Sequence, residues 1–114
     1  MSGRDDRAGR DVLRRVGEAS VLILISLADG PKHGYAITQD VAVQVDVRLG
    51  PGTLYGAIGR LEERGLIEAM PAQQRRRPYR ITAAGAQELA QAAARMRDVA
   101  EFGLSRLAAA RTTA

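Results

Sequence analysis

The chain has 114 residues, 46% of them hydrophobic, which is enough for one modest core and too little for two independent domains. It has no cysteine and one histidine, so disulfide frameworks and thiolate metal clusters are excluded and acid/base catalysis has few candidate groups. A net charge of +4 suits a polyanionic partner, although solubility alone would also explain it.

The N-terminal part is predicted to be a flexible tail followed by a long helix. Residues 1–11 mix both charge signs with Gly and Ser and lack the apolar run of a signal peptide. A helix is predicted for residues 12–28, because its apolar residues recur at three- and four-residue spacing: Val12, Val16, Ala19, Ile23 and Leu27. The apolar run ASVLILISLA is about half the length of a membrane span, which indicates a buried core helix.

Two further helices are predicted in the middle of the chain. DGPKHG ends the first helix with turn residues, and a second helix spans residues 35–45. The third helix spans residues 51–64, since Pro51 suits a first helical turn and Gly65 suits the position just after a helix end. At 100° per residue its core face consists of Leu54, Ala57, Ile58 and Leu61.

The opposite face of the third helix is unusual in its glycines. It presents Gly52, Thr53, Gly56, Gly59, Arg60 and Glu63. Each glycine weakens a helix by about 1 kcal/mol relative to alanine, so we expect a compensating close approach of another backbone. A DNA major groove would supply it, with Thr53, Tyr55 and Arg60 as donors to phosphates or base edges. The alternative is that the glycines pack against the second helix.

A β-hairpin is predicted after the third helix. LIEAM (66–70) and PYRIT (78–82) have the character of short strands, and PAQQRRR joins them. Arg75, Arg76, Arg77 and Arg80 lie here, with no acidic residue from 69 to 87. An arginine-tipped hairpin after three helices is typical of a wing whose arginines contact DNA phosphates or a narrow minor groove. A solvated turn is the alternative.

The last predicted helix spans residues 83–110, with Thr82 as its N-cap. One face carries an apolar stripe of Leu89, Ala92, Met96, Val99, Ala100, Gly103 and Leu107. The stripe is longer than one small domain can cover, so it predicts a homodimer through this helix. Folding back on the first helix within one chain is the alternative.

Three segments together resemble the PadR family of transcriptional regulators. They are LADGPKHGYAI, LGPGTLYGAIGRLEERGLIE and YRITAAG, which lie in the family's order and spacing over roughly residues 19–86. The resemblance implies a mainly α fold with a small β-hairpin wing. It implies a winged helix-turn-helix over residues 12–82 and a long C-terminal dimerisation helix, as in the family's compact subgroup.

The resemblance also implies roles for individual residues. Thr53 and Tyr55 of the G-T-L-Y segment would face DNA, and the wing residues 75–77, with Arg80, would contact the backbone. The H-G-Y segment (33–35) would set the start of the second helix, with a phosphate contact as its minority role. The wing departs from the family pattern, which commonly has Gly-Arg and two tyrosines where this chain has RRRPYR.

The resulting expectation is a cytoplasmic repressor that binds double-stranded DNA as a homodimer on a near-palindromic operator. Repression is expected because the chain leaves no room for a dedicated activation domain. A small hydrophobic effector would bind near Met96, Val99 and Phe102, while the absence of tryptophan does not support an aromatic sandwich around a planar drug. No cofactor, metal or catalysis is expected, because LGPGTLYG lacks the G-K-[ST] ending of a phosphate-binding loop. The alternative is a winged-helix module that dimerises and binds an acidic protein.

Overall fold

The computed structural model of the chain describes residues 18–113, in the order helix, strand, helix, helix, strand, strand, helix. The elements are α1 (Ala19–Leu27), β1 (Lys32–His33), α2 (Gly34–Val45), α3 (Pro51–Glu63), β2 (Ile67–Ala69), β3 (Pro78–Ile81) and α4 (Ala83–Thr113). The predicted tail 1–11 and the predicted start of the first helix at Val12 lie outside the described residues.

Helix α1 is the centre of the core, as its apolar run predicts. Ile23 and Leu27 are almost completely buried, and in this helix Ile25 is the one large apolar side chain that is clearly exposed. The buried Ser26 donates a hydrogen bond from Oγ to Asp40 Oδ2 of α2 at 2.7 Å, so its hydroxyl is satisfied inside the core. Apolar residues of α2, α3 and β2 close the core around α1: Ile37, Val41, Leu54, Ala57, Ile58, Leu61 and Ile67.

The sheet has three antiparallel strands in the order β1-β3-β2. It therefore has one strand more than the two of the predicted hairpin. In the hairpin Glu68 pairs with Arg80, and in the added ladder His33 pairs with Pro78. Pro78 is the first residue of β3, a position where its missing N–H is tolerated. The prediction of a plain turn for DGPKHG was therefore wrong at Lys32 and His33, which pair along the other edge of β3.

Two glycines fix the junctions around the wing. Gly65 has φ +72°, and the N–H groups of Gly65 and Leu66 donate to the carbonyls of Glu62 and Leu61, the Schellman pattern that ends α3. Thr82 caps α4 by accepting from the Gly85 N–H at 3.1 Å. A Cβ at Gly85 would lie 2.0 Å from the Leu66 carbonyl oxygen, so only glycine allows α4 to begin against this turn.

The hairpin and the predicted helices, the first of them from Ala19 onward, are confirmed, and α4 extends beyond its predicted end to Thr113. No helix in the described part of the chain is both long enough and apolar enough to cross a membrane. Helix α4 spans 31 residues, about 46 Å at 1.5 Å per residue. Its first half packs on α1 and β3, with Leu89 against the core, whereas every side chain described from Arg97 to Thr112 is exposed.

Candidate nucleic-acid interface

On the outward face of α3, residues 18–113 leave open space over most of the glycines. A Cβ built on Gly52 or Gly59 would meet no other part of the described chain within 4 Å, and one on Gly56 would meet only Arg60 Nη1 at 3.5 Å. The alternative in which these glycines pack against the second helix is thus excluded within one chain. The acidic residues of α3, Glu62 and Glu63, are both at its C-terminal end. Its N-terminal half therefore offers a partner an uncharged surface with few long side chains.

Tyr55 joins this face to the start of α2. Its side chain is 55% exposed, and a Cβ on Gly34 would lie 2.7 Å from the Tyr55 hydroxyl oxygen. The glycine of the H-G-Y segment therefore makes room for the tyrosine of G-T-L-Y. Thr53 is exposed beside it, two turns before Arg60 on the same side of the helix.

The wing ends in a tight turn with two strained residues. Gln73 and Arg76 exchange backbone hydrogen bonds of 2.7 and 2.9 Å, and the two residues between them, Gln74 and Arg75, have φ values of +51° and +67°. Positive φ at both central residues is the type I′ pattern, which prefers Asn-Gly. Neither residue suits that backbone, at a cost of roughly 1 kcal/mol or more for each. The turn directs Arg75 away from the core.

The wing arginines differ in their partners. Arg75 and Arg77 form no ion pair with any residue from 18 to 113, and both are exposed. Arg80 forms an ion pair with Glu68 on the neighbouring strand, so its charge is already partly balanced within the hairpin. Arg76 turns back toward α2, where its guanidinium lies over the Tyr35 ring at 6.0 Å from the ring centre.

A cleft of about 370 Å³ separates the wing from the start of α2, and we call it the wing cleft. It is lined by His33, Tyr35, Tyr55, Tyr79 and the arginines 75–77. Burial raises the pKa of the Tyr79 phenol, and the charges of Glu62 and Tyr55 add to this rise, while Arg77 opposes it. Tyr79 is therefore a neutral wall of the cleft at physiological pH.

Arg60 lies toward the C-terminal end of the glycine face, with its Nη1 3.5 Å from the Cβ position of Gly56. It borders a second, larger groove of about 750 Å³ between α1, the end of α3 and α4. The apolar lining of this groove includes Val21, Leu24, Met96 and Val99. Of the predicted effector-binding residues, the groove brings together Met96 and Val99, whereas Phe102 lies beyond it with Arg106 stacked on its ring at 4.6 Å.

The predicted dimerisation stripe divides into two parts. Leu89, Ala92 and Met96 are half-buried in the first half of α4. Val99, Gly103 and Leu107 are exposed in the second half, where Phe102 and Leu104 flank them with exposed fractions of 60% and 67%. Among the described residues, the alternative in which the helix folds on α1 thus holds for its first half, while residues 12–17 of the predicted first helix lie outside them.

Sequence reasoning did not anticipate the wing cleft. It treated His33–Tyr35 mainly as a helix start and Arg75–Arg77 as a phosphate-contacting loop, without placing the two segments together. The missing link is β1, a strand of two residues that carries no periodic signal of its own. The one sequence signal for the cleft was the pair Gly34 and Tyr35 after His33, in which a glycine leaves room beside an aromatic side chain.

Comparison with known proteins gives one consistent picture. The sequence profile of the transcriptional regulator PadR-like family matches residues 23–91. A solved transcriptional regulator from Clostridium thermocellum is 30% identical, with a TM-score of 0.69 and coverage of 81% of this chain and 90% of that one. A PadR family transcriptional regulator from Eggerthella lenta is 29% identical, with a TM-score of 0.66 and coverage of 92% and 95%.

A sequence relative extends the comparison to a longer protein. An uncharacterized 37.1 kDa protein in transposon TN4556 of Streptomyces fradiae is 46% identical over 71 residues. The match covers 62% of this chain but 21% of that protein, so the chain spans about a fifth of the length of this relative.

Proposed function

This chain belongs to the PadR-like family of transcriptional regulators, and from that premise we propose that it recognises specific sites on double-stranded DNA as a homodimer. Helix α3 enters the major groove with its N-terminal half, and the wing arginines contact the flanking phosphates. The protein acts as a cytoplasmic repressor that occupies a near-palindromic operator. Membership in a family of regulators agrees with the expectation that the chain is not an enzyme.

The observation that carries the proposal is the bare glycine face of α3 beside an arginine-tipped wing. The face lets a backbone approach closely, because the described chain places nothing within 4 Å of a Cβ at Gly52 or Gly59. Thr53 and Tyr55 are the side chains at the N-terminal half that reach outward to base edges or phosphates. With so few long side chains on this face, discrimination between sites depends partly on groove shape.

The wing supplies the charge that the helix lacks. Arg75 and Arg77 are exposed and have no acidic partner in the described part of the chain, so both are available to phosphates. Arg80 contributes less, because Glu68 already balances it. Arg60 contacts the backbone from the far end of α3, where it borders the larger groove.

The exposed half of α4 supports the homodimer. The stripe from Leu89 to Leu107 is about 27 Å long at 1.5 Å per residue, and residues 18–113 leave its second half uncovered. A second copy of the stripe would bury it in a two-fold arrangement. The two α3 helices would then lie about one DNA turn apart, roughly 34–36 Å, on two half-sites.

The larger groove supports a small hydrophobic effector as a second part of the proposal. Its volume of about 750 Å³ falls in the range of small-molecule sites, and Val21, Leu24, Met96 and Val99 give it an apolar wall. Because α4 forms one side of the groove, a ligand there would bear on the helix that sets the spacing of the dimer. Phe102 would take part only if the partner helix brings it to the groove.

The experiment measures the affinity for random-sequence duplex DNA as a function of salt. We expect the wild type to bind at low salt, and the double variant Arg75→Ala/Arg77→Ala to flatten the plot of log K against log salt by up to about two units. The double variant Arg97→Ala/Arg111→Ala on α4 removes the same charge far from α3 and should keep the slope. An unchanged slope in the wing variant would remove the wing from the interface. If the wild type does not bind duplex DNA at low salt, the result would favour the alternative function, a winged-helix module that binds an acidic protein.

A further inference from the structure

The end of α3 and the start of α4 meet at one junction. The Thr82 hydroxyl donates to the Gly65 carbonyl oxygen at 2.7 Å, and the Thr82 N–H donates to the Leu66 carbonyl oxygen at 3.0 Å. Gly85, in the first turn of α4, lies against the same Leu66 carbonyl. These contacts fix where α4 begins. Because they act at one point, the direction of α4 depends on contacts farther along the helix.

Beyond the junction the two helices separate and are connected by an ion pair. The larger groove of about 750 Å³ lies between α1, the end of α3 and α4. Arg64 Nη2, on the residue that caps the C-terminus of α3, lies 2.6 Å from Glu88 Oε1 of α4. Among residues 18–113 this is the one ion pair between α4 and the end of α3. Both side chains line the groove, so the pair connects two of its walls.

The ion pair suits orientation better than stabilisation. The side chains of Arg64 and Glu88 are 59% and 40% exposed, and ion pairs this open to solvent contribute little to the stability of a fold. A charge-assisted hydrogen bond is directional, however, whereas the apolar contact of Leu89 with the core is not. The pair can therefore select one direction of α4 among those that the apolar contacts tolerate.

The length of α3 makes a small change of angle matter at DNA. Helix α3 has 13 residues, about 20 Å at 1.5 Å per residue, and its N-terminus is the end far from the junction. A rotation of about 10° about the junction displaces that end by roughly 3.5 Å, close to the rise of about 3.4 Å per base pair. In a dimer held together by α4, the angle between α3 and α4 thus determines the distance between the two α3 helices.

We propose that Arg64 and Glu88 are positioning residues whose ion pair fixes the angle between α3 and α4, and that this angle selects the spacing of the two half-sites. The inference rests on the proposed function and adds to it a specificity that no base contact supplies. Without the ion pair the angle varies, and the dimer tolerates half-sites that lie one base pair closer together or farther apart.

The first test compares DNA sites that differ only in spacing. The reference is the site that the wild type selects from random-sequence duplex DNA, and the competitors have one base pair added or removed between its half-sites. We expect the wild type to prefer the reference by about tenfold and Glu88→Gln, which keeps the size of the side chain, by about threefold. The reversed pair Arg64→Glu/Glu88→Arg should restore much of the preference.

The matched control for Glu88→Gln is Glu68→Gln. Glu68→Gln changes the charge by the same amount and also breaks an exposed ion pair, the one with Arg80, but within the hairpin. It should keep the wild-type spacing preference, because the release of Arg80 affects binding to all spacings alike. A wild-type preference in Glu88→Gln, or an equal loss in Glu68→Gln, would overturn the proposal.

The second test measures the angle in the full-length protein without DNA. Because the chain has no cysteine, spin labels can be attached to cysteines introduced at Thr53 on α3 and Ser105 on α4. Dilution with unlabelled protein isolates the distance between the two labels of one chain. The distance distribution should be wider in Glu88→Gln than in the wild type, and it should stay narrow in Glu68→Gln and in the reversed pair.

The two tests separate failure of this inference from failure of the proposed function. If the wild type does not bind duplex DNA, the proposed function fails and the spacing role fails with it. If the wild type binds DNA and the distance distribution of Glu88→Gln is as narrow as that of the wild type, the ion pair does not fix the angle and this inference alone is overturned. A wider distribution with an unchanged spacing preference would also overturn it, because the angle would then not select the half-site spacing.

Discussion

Helix α3 and the second half of α4 are both exposed helical surfaces, yet they expose opposite chemistry. The outward face of α3 has glycines, a threonine and a tyrosine, next to arginines of the wing. The second half of α4 exposes Val99, Phe102, Leu104 and Leu107. The glycine face of α3 has few long side chains and lies beside wing arginines that have no acidic partner among residues 18–113, so it suits a polyanion that approaches closely. An apolar stripe suits another apolar stripe. The residue types thus indicate which kind of partner each proposed interface suits.

The two surfaces also differ in the packing that supports them from behind. Helix α3 is fixed from behind by Leu54, Ala57, Ile58 and Leu61, all buried, so its outer face can stay bare without loss of order. The second half of α4 has no such support from the described part of the chain, where packing against α1 and the sheet ends near Met96. We infer that DNA recognition uses the preformed outer face of α3. Dimer assembly uses the second half of α4, which a second copy of the chain would cover.

The largest expected effect comes from charging the α4 stripe. Val99→Asp together with Leu107→Asp would bury four carboxylates in a dimer, so we expect monomers that bind the DNA site selected by the wild type about 100-fold more weakly, because two half-sites no longer act together. Sedimentation and a gel shift measure the two effects. Ser105→Asp, on the opposite side of α4, is the control and should remain dimeric. A double variant that stays dimeric would move the interface away from the stripe.

A smaller and more diagnostic effect is expected from Gly56→Ala on α3. Alanine should raise the free energy of unfolding by about 1 kcal/mol, because its Cβ meets only the flexible end of Arg60 and helix propensity improves. Affinity for the selected DNA site should fall by about tenfold, the size of one lost contact. Chemical denaturation and a binding isotherm test both signs. A variant that is more stable and binds equally well would show that the glycine face does not approach DNA.

Much of this arrangement could be predicted from the sequence because it depends on periodicity and turn residues. The buried face of α3 follows from the spacing of its apolar residues, and Gly65 and Thr82 mark helix ends through their own local chemistry. The PadR-like fold followed from three motifs in order. These are features in which local preference and tertiary structure agree.

The remainder could not be predicted because it depends on contacts between distant segments. Strand β1 has two residues, too few for a pattern, and forms only because β3 offers it a free edge. The ion pair of Arg80 with Glu68 depends on the register of the hairpin. The positive φ of Gln74 and Arg75 has no signature in residue type, because neither is a usual turn residue at such positions. The predicted roles of individual residues in DNA binding and dimerisation stay predictions.

The smallest expected effect concerns that strained wing turn and explains why it carries an arginine. Gln74→Asn should raise the free energy of unfolding by about 0.5 kcal/mol, because asparagine tolerates the left-handed conformation better than glutamine does. Arg75→Gly should relieve the strain at the next residue at least as well. Denaturant titration would measure both gains.

The two variants should differ in DNA binding. Gln74→Asn should keep the salt slope of the wild type, whereas Arg75→Gly should flatten it by about one unit. Equal slopes in both would mean that the strain at Arg75 serves no phosphate contact, and the wing would then be recognised by shape. A loss of slope confined to Arg75→Gly would mean that stability is given up at the tip of the wing to hold one cation where DNA passes.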